Sequence, residues 1–202
     1  MRHPRTPRQN TSIEAATEFV KDTGDSELMR QVRVGRTAAL ATLFERHHAR
    51  LYRYCQRMTG NRAAAEDLVQ DVFMKMLKYK ATFKDDSEFV PWMFGIARNA
   101  CLGHLRRSAG DGLRADAADS EQIAAADDDE PDHMQCELVR RALLELPAER
   151  REVLVLSRYE FKTYEEIALV LDCSVGAVKV RVHRAIKQLR EIYLGMAGET
   201  AI

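Results

Sequence analysis

Residues 163–190, TYEEIALVLDCSVGAVKVRVHRAIKQLR, constrain the chain more than any other stretch: they spell two short helices joined by a tight turn, the second strongly cationic. Thr163 with Glu166 three residues on forms a capping box that starts the first helix, and Ile167, Ala168 and Leu171 give it one apolar face. The turn falls at Asp172 and Cys173, and Ser174 is placed to cap the second helix. There Val175, Val178, Val182 and Ile186 keep helical spacing, while Lys179, Arg181, Arg184, Lys187 and Arg190 point elsewhere. No acid occurs from Cys173 to Arg190. A solvated helix face ordinarily mixes signs. One-signed charge instead suits a phosphate-lined groove, so the pair reads as a DNA-binding helix-turn-helix.

The formal net charge of zero conceals segregation. Asp111, Asp116, Asp119, Glu121, Asp127, Asp128, Asp129, Glu130 and Asp132 crowd into one stretch in which Arg114 is the only base. That stretch is rich in Ala and Gly and poor in large apolar residues, the composition of a flexible tether. The expected organisation is all-α: a disordered basic arm over 1–24, a helical domain over 25–108, an acidic linker over 109–135, a helix-turn-helix domain over 136–193 and a tail over 194–202. No run reaches the roughly 18 apolar residues of a membrane span, and the basic N-terminus lacks the apolar core of a secretory signal. A cytoplasmic protein without membrane insertion is expected.

Cys55, Cys101, Cys136 and Cys173 form no CxxC pair, and phosphate-loop, HExxH, GxSxG and GxGxxG signatures are missing. A non-enzyme without cofactor or metal is expected. Two other classes stay in view. One is a stand-alone repressor or activator that binds a palindromic duplex by itself; the other is a metal- or thiol-responsive protein using Cys55, Cys136 and the histidines.

The N-terminal half carries helical periodicity over about 25–34, 36–58, 62–79 and 87–107. In the second helix Leu40, Leu43, Phe44, His47, Leu51 and Tyr54 form the core stripe, which ends at Gly60. In the third, Ala65, Leu68, Val69, Val72 and Met76 face inward, and Glu66, Asp67, Gln70 and Asp71 gather on another side. Glu66 and Asp67 suit the helix dipole, whereas Gln70 and Asp71 lie too far along for that. With Phe73 and Met74 nearby, this face reads as a docking site for a basic partner. The fourth helix interleaves Phe89, Trp92, Phe94 and Ile96 with Arg98, Asn99, His104, Arg106 and Arg107, a mixture suited to single-stranded DNA. Phe89, Trp92 and Ile96 are expected to be mostly packed and Arg98, Asn99, Arg106 and Arg107 available, since an Asn amide both donates and accepts toward an unpaired base.

AEDLVQDVFMKML, then FVPWMFGIARNACLGHLRR, then the acidic linker, then LLELPAERREVLVLSRYEFKTYEEIALVLDCSVGAVKVRVHRAIKQLR, together resemble sigma-70-type RNA polymerase initiation factors of the extracytoplasmic-function group. The resemblance covers about 25–107 and 136–192 and implies only the second and fourth sigma domains: a sigma-2 helical bundle and a sigma-4 helix-turn-helix. It implies that Asp67, Gln70, Asp71 and Phe73 contact the clamp of the polymerase largest subunit, with the flap as a further contact. It implies that the loop before residue 87 and the fourth helix open and read the minus-ten element through Trp92, Arg98, Asn99, Arg106 and Arg107. It implies that Ser174, Lys179, Arg181, His183 and Arg184 meet the minus-thirty-five element as duplex. An anti-sigma partner is implied as well. The match is thin at Phe83 to Glu88 and at Val180. On its charge, the linker reads either as a nucleic-acid mimic in the polymerase's RNA exit path or as a solvated tether.

Overall fold

The computed structural model describes residues 23–110 and 133–200. The basic arm up to residue 22 and the linker over 111–132 lie outside the described residues, while the linker's expected ends, 109–110 and 133–135, belong to helices. Among the described residues there are helices and no strands: α1 (Asp25–Arg33), α2 (Ala38–Thr59), α3 (Arg62–Lys78), α4 (Phe89–Gly110), α5 (His133–Glu145), α6 (Ala148–Leu154), α7 (Tyr164–Leu171) and α8 (Val175–Thr200). A short 3-10 turn (Lys80–Thr82) precedes α4 and a π turn (Val155–Tyr159) follows α6.

Local chemistry sets the helix ends. Gly60 takes a left-handed φ of 72° to close α2, with its N–H on Gln56 O, and Asn61 Oδ1 then accepts from Ala64 N at 2.8 Å to open α3. A Cβ at Gly60 would stand 2.8 Å from Leu144 Cδ1. That contact joins the two halves of the molecule. The last helix runs to Thr200, so most of the expected tail is helical.

The expected core stripes of α2 and α3 are largely realised: Leu43, Leu51, Tyr54, Ala65, Leu68, Val69, Val72 and Met76 are buried. In α4 the structure corrects the expectation. Phe89, Met93, Phe94, Ala97, Ala100 and Cys101 are buried, whereas Trp92 and Ile96 are half-buried. Phe94 is drawn inward by an edge-on contact with Tyr54, ring centroids 5.1 Å apart. A helix with neighbours on two sides buries more than one stripe, because α1, α2, α3 and α7 all lie against α4.

The two modules share one apolar cluster, and polar contacts also cross their seam. Arg50 of α2 donates to Glu160 through Nε at 2.7 Å and to the Glu160 carbonyl through Nη2 at 2.9 Å. Arg98 of α4 donates to Glu152 of α6 at 3.1 Å, and Tyr54 Oη donates to the same carboxylate at 3.3 Å. The Arg57 guanidinium lies 4.4 Å from the Tyr159 ring centroid. Arg151 of α6 is buried and donates to Leu143 O, Leu144 O and Leu146 O where α5 ends, and to Met58 O near the end of α2. One guanidinium thus satisfies carbonyls at two helix C-termini, one from each module.

Candidate nucleic-acid and protein interfaces

The capping box expected at the start of α7 is present: Thr163 Oγ1 accepts from Glu166 N at 3.2 Å, and Thr163 N donates to Glu166 Oε2 at 2.8 Å. Burial works to raise the Glu166 carboxyl, but the Lys162 ammonium and the Thr163 donors outweigh it and hold the group below its ordinary value. Asp172 makes the turn in the left-handed region, φ 48°, and Ser174 Oγ accepts from Ala177 N at 3.2 Å to start α8. Ser174 therefore has a capping duty, while its hydroxyl proton is left to donate outward.

Along α8, Val178, Val182 and Ala185 are buried and Ile186 is 40% exposed, so the inward stripe turns through Ala185 rather than Ile186. Lys179, Arg181, His183 and Arg184 are all exposed and make no ion pair among the described residues. With Lys179, Arg181 and Arg184 unneutralised on a helix held by a buried stripe, this exposed side is ready to take phosphate or base-edge acceptors.

On α3, Glu66, Asp67 and Gln70 are exposed, and Asp71 is half-buried with Lys75 Nζ on its carboxylate at 2.7 Å. Asp71 thus has a cation one turn away to offset repulsion from Asp67. Phe73, expected to touch a partner, is only 6% exposed and is a correction: its ring packs 4.9 Å from that of Phe44. The exposed apolar atoms beside the acids come instead from Met74, 66% exposed, and from Phe44, 41% exposed and stacked on His48. Phe44 falls on the α2 apolar stripe, yet Phe73 of α3 covers only part of its ring and leaves the rest exposed.

On α4 the candidates separate. Asn99, Arg106 and Arg107 are exposed, with Arg106 Nε returning to Leu102 O at 3.2 Å. Arg98 is only 25% exposed and is engaged by Glu152 in the seam, so it is not available in this arrangement. Trp92 is half-buried, and its Nε1 donates to Thr82 Oγ1 at 3.3 Å. Arg50, Arg57, Glu152 and Glu160 of the seam carry no sequence signal, and Tyr54, on the α2 core stripe, adds a hydroxyl partner there. The buried pair Glu152 and Glu160 carries no motif. Burial raises the Glu152 carboxyl above its ordinary value despite the Arg98 and Tyr54 hydrogen bonds, and burial beside Glu152 raises the Tyr54 phenol well above its own.

Two of the cysteines meet in space although they form no CxxC pair. Cys55 of α2 and Cys101 of α4 bring their sulfurs to 3.7 Å inside the core, and the hydrogen bond between them with burial holds the Cys101 thiol well above its ordinary value. Such a thiol stays protonated and unreactive. Cys136 is exposed and Cys173 half-buried. Among the described residues no group of three His, Cys, Asp or Glu is placed to hold a metal.

Residues 43–110 match the family described as Sigma-70 region 2, and residues 136–189 match that described as Sigma-70, region 4. The chain is 34% identical over 164 residues to "RNA polymerase sigma factor CarQ" of Myxococcus xanthus, spanning 81% of this chain and 94% of that protein. It is 33% identical over 158 residues to "ECF RNA polymerase sigma factor SigL" of Mycobacterium tuberculosis, 76% of this chain and 88% of that one. Among solved structures, CnrH in complex with the cytosolic domain of CnrY is similar at TM-score 0.61 and 26% identity over 83% of this chain and 96% of that chain. The sigma factor RpoE in complex with the anti-sigma factor NepR from Bartonella quintana is similar at TM-score 0.59 and 26% identity, over 75% and 94%.

Proposed function

This chain belongs to the extracytoplasmic-function group of sigma-70 RNA polymerase sigma factors, and we propose that it directs core polymerase to promoters by reading a minus-thirty-five and a minus-ten element and stabilising the melted strand. The observation that carries this reading is the exposed row Lys179, Arg181, His183 and Arg184 on a capped helix-turn-helix, joined in one chain to the acidic face Asp67, Gln70 and Asp71. The cations serve DNA and the acids serve a basic surface of the polymerase, flanked by Phe44 and Met74 as apolar anchors. Asn99, Arg106 and Arg107 of α4, with the loop 83–88, take the single strand. The chain itself makes or breaks no bond. Melting is driven by binding, since captured bases offset the few kcal/mol that unstacking each one costs.

From the polar seam follows the expectation that the protein alone binds promoters poorly. Elements about 25 base pairs apart are separated by ~85 Å of duplex at ~3.4 Å per pair. A compact chain of this size has a radius of gyration of about 16 Å and is about 40 Å across. Both elements are reached together only when the modules part, which also frees Arg98 from Glu152 for the strand. Polymerase then fixes their spacing, and each contact raises the effective concentration of the other. An anti-sigma factor, as in the similar RpoE structure, would act by covering these faces. The protein works where the polymerase is, in the cytoplasm.

Co-elution of the purified protein with sigma-free core polymerase tests this. Wild type is expected to form a stoichiometric complex, and Asp71→Arg to lose it by about 100-fold or more in affinity while keeping its helical signal. Undiminished binding by the variant would remove the acidic docking face. Tight binding of a palindromic duplex without polymerase would replace this function with that of a stand-alone regulator.

A further inference from the structure

Helix α1 lies ahead of residues 43–110, where the region 2 match begins, and its use is visible in three side chains. Ser26, Arg30 and Arg33 stand four and three residues apart, on one helix face spanning about 10.5 Å. Opposite them runs the loop between the 3-10 turn and α4. Arg33 Nη1 donates to Phe83 O at 2.7 Å, Arg30 Nη2 to Asp85 O at 3.0 Å, and Ser26 Oγ to Ser87 O at 3.5 Å. As α1 is followed forward the loop is followed backward, so the two run antiparallel with every second loop carbonyl held. Phe89 N donates back to Ser26 Oγ at 3.2 Å where α4 starts.

The anchoring on either side is firm. Leu28, Met29 and Val32 of α1 are fully buried, and Asp25 carries Arg46 Nη1 and His47 Nε2, each at 2.7 Å. Phe83 is fully buried, with its ring edge-on to Trp92 at 5.2 Å. The side chains of Lys84, Asp86 and Glu88 are exposed. Asp85, 75% exposed, is ion-paired with Arg33 and neutralised before it meets a phosphate. Main chain is held from behind, and side chains are presented forward.

We propose that α1 is a brace for the base-reading loop: Ser26, Arg30 and Arg33 fix the carbonyls of Ser87, Asp85 and Phe83 and thereby set which base the loop accepts at the minus-ten element. This rests on the reading above that the loop faces that element. These three are positioning residues and touch no DNA themselves. A loop free to take several paths discriminates poorly, because its contacts average over geometries; a loop held to within a fraction of an ångström does not.

The test is reconstituted transcription with core polymerase on promoters selected by the wild type, then randomised at the minus-ten bases with the minus-thirty-five element constant. Its readout is the ratio of transcription between the best and worst base at the most discriminating position. The Arg30→Ala, Arg33→Ala double variant is expected to narrow that ratio by about tenfold, with core-polymerase affinity and minus-thirty-five dependence within about twofold of wild type. Ser26→Ala should narrow it in the same direction with less risk to folding, and Arg33→Lys should restore part of it. Asp85→Asn keeps the carbonyl and should keep the wild-type ratio. An unchanged ratio with uniformly lower transcription or a lower melting temperature would overturn the brace, leaving α1 merely structural. A loss in Asp85→Asn as large as in the double variant would overturn a main-chain brace. If the wild type itself shows no promoter-dependent transcription, the parent reading falls and takes the brace with it; if wild type discriminates and the variants do too, only the brace falls.

Discussion

Arg151 and Arg184 are the same side chain in the same module, and the fold puts them to opposite uses. Arg151 is buried and faces four carbonyls at two helix ends, so its charge is answered within the molecule and burial lowers its pKa. Arg184 stands on α8 in water beside Lys179 and Arg181, and no acid among the described residues answers any of them. Arg98 lies between these extremes, 25% exposed and held by a carboxylate of the other module. A cation's place here follows its partner: a carbonyl cluster makes it a joint, a carboxylate of the other module makes it a link, and water leaves it exposed. Desolvation explains the order, because a guanidinium is held inside only where enough acceptors replace its water.

The sharpest way to break the contrast is to remove the joint. Arg151→Ala leaves buried carbonyls of α2 and α5 without donors and should cost about 3 kcal/mol or more, lowering the melting temperature by roughly 6 to 12 °C for a chain of this size. Thermal unfolding checks this, and loss of only a degree would place Arg151 with the ornamental cations. Arg184→Ala should leave the melting temperature unchanged. It should instead weaken minus-thirty-five-dependent transcription by about 1 to 3 kcal/mol if it reads a base, or weaken binding evenly across sequences, with a shallower salt slope, if it holds phosphate.

Acidity separates module from seam without mutation. Burial lowers the His47 pKa below 6.5 against the opposing hydrogen bond that His47 Nε2 donates to Asp25, with Arg50 and Arg46 nearby adding to the lowering. Its contribution to the α1–α2 packing is therefore present above 6.5 and lost as pH falls through that region. Glu152, facing Arg98, Tyr54 and Glu149, has the opposite sense: its folded value is raised above 4.5, so its contribution is complete below 4.5 and is lost as pH rises through the raised value. Scattering-derived radius should grow with pH across that window as the seam loosens, and Glu152→Gln should flatten the dependence. Melting temperature should fall between pH 7.5 and 5.5 in wild type and less so in His47→Gln.

The smallest effect expected is a gain. Phe161 holds φ at 51° while 85% exposed, so Phe161→Gly removes left-handed strain and loses almost no packing. A stabilisation of about 0.5 to 1 kcal/mol follows, read as a modest rise in melting temperature; a fall would show that the ring has a contact in solution.

The helices of the N-terminal half, the capping box at Thr163, the turn at Asp172 and the unmixed charge of α8 are legible in the sequence, whereas the helical ends of the linker and tail are not. Each depends on residues within one or two turns of one another, where hydrogen bonding and apolar period are written locally. The acids of α3 were legible for the same reason. What the sequence could not say was which side chains have distant partners. Arg98 meets Glu152 across 54 positions and Arg50 meets Glu160 across 110. Phe73 and Phe44 exchange places at the surface, Cys55 finds Cys101, and α1 meets the carbonyls of a loop fifty or more residues on. Burial is a property of neighbours brought together by packing, and local period cannot record it. The sequence by itself therefore determined the helices and the family, whereas only the tertiary structure decided which arginines stay exposed and which join the two modules, because burial and partners depend on packing.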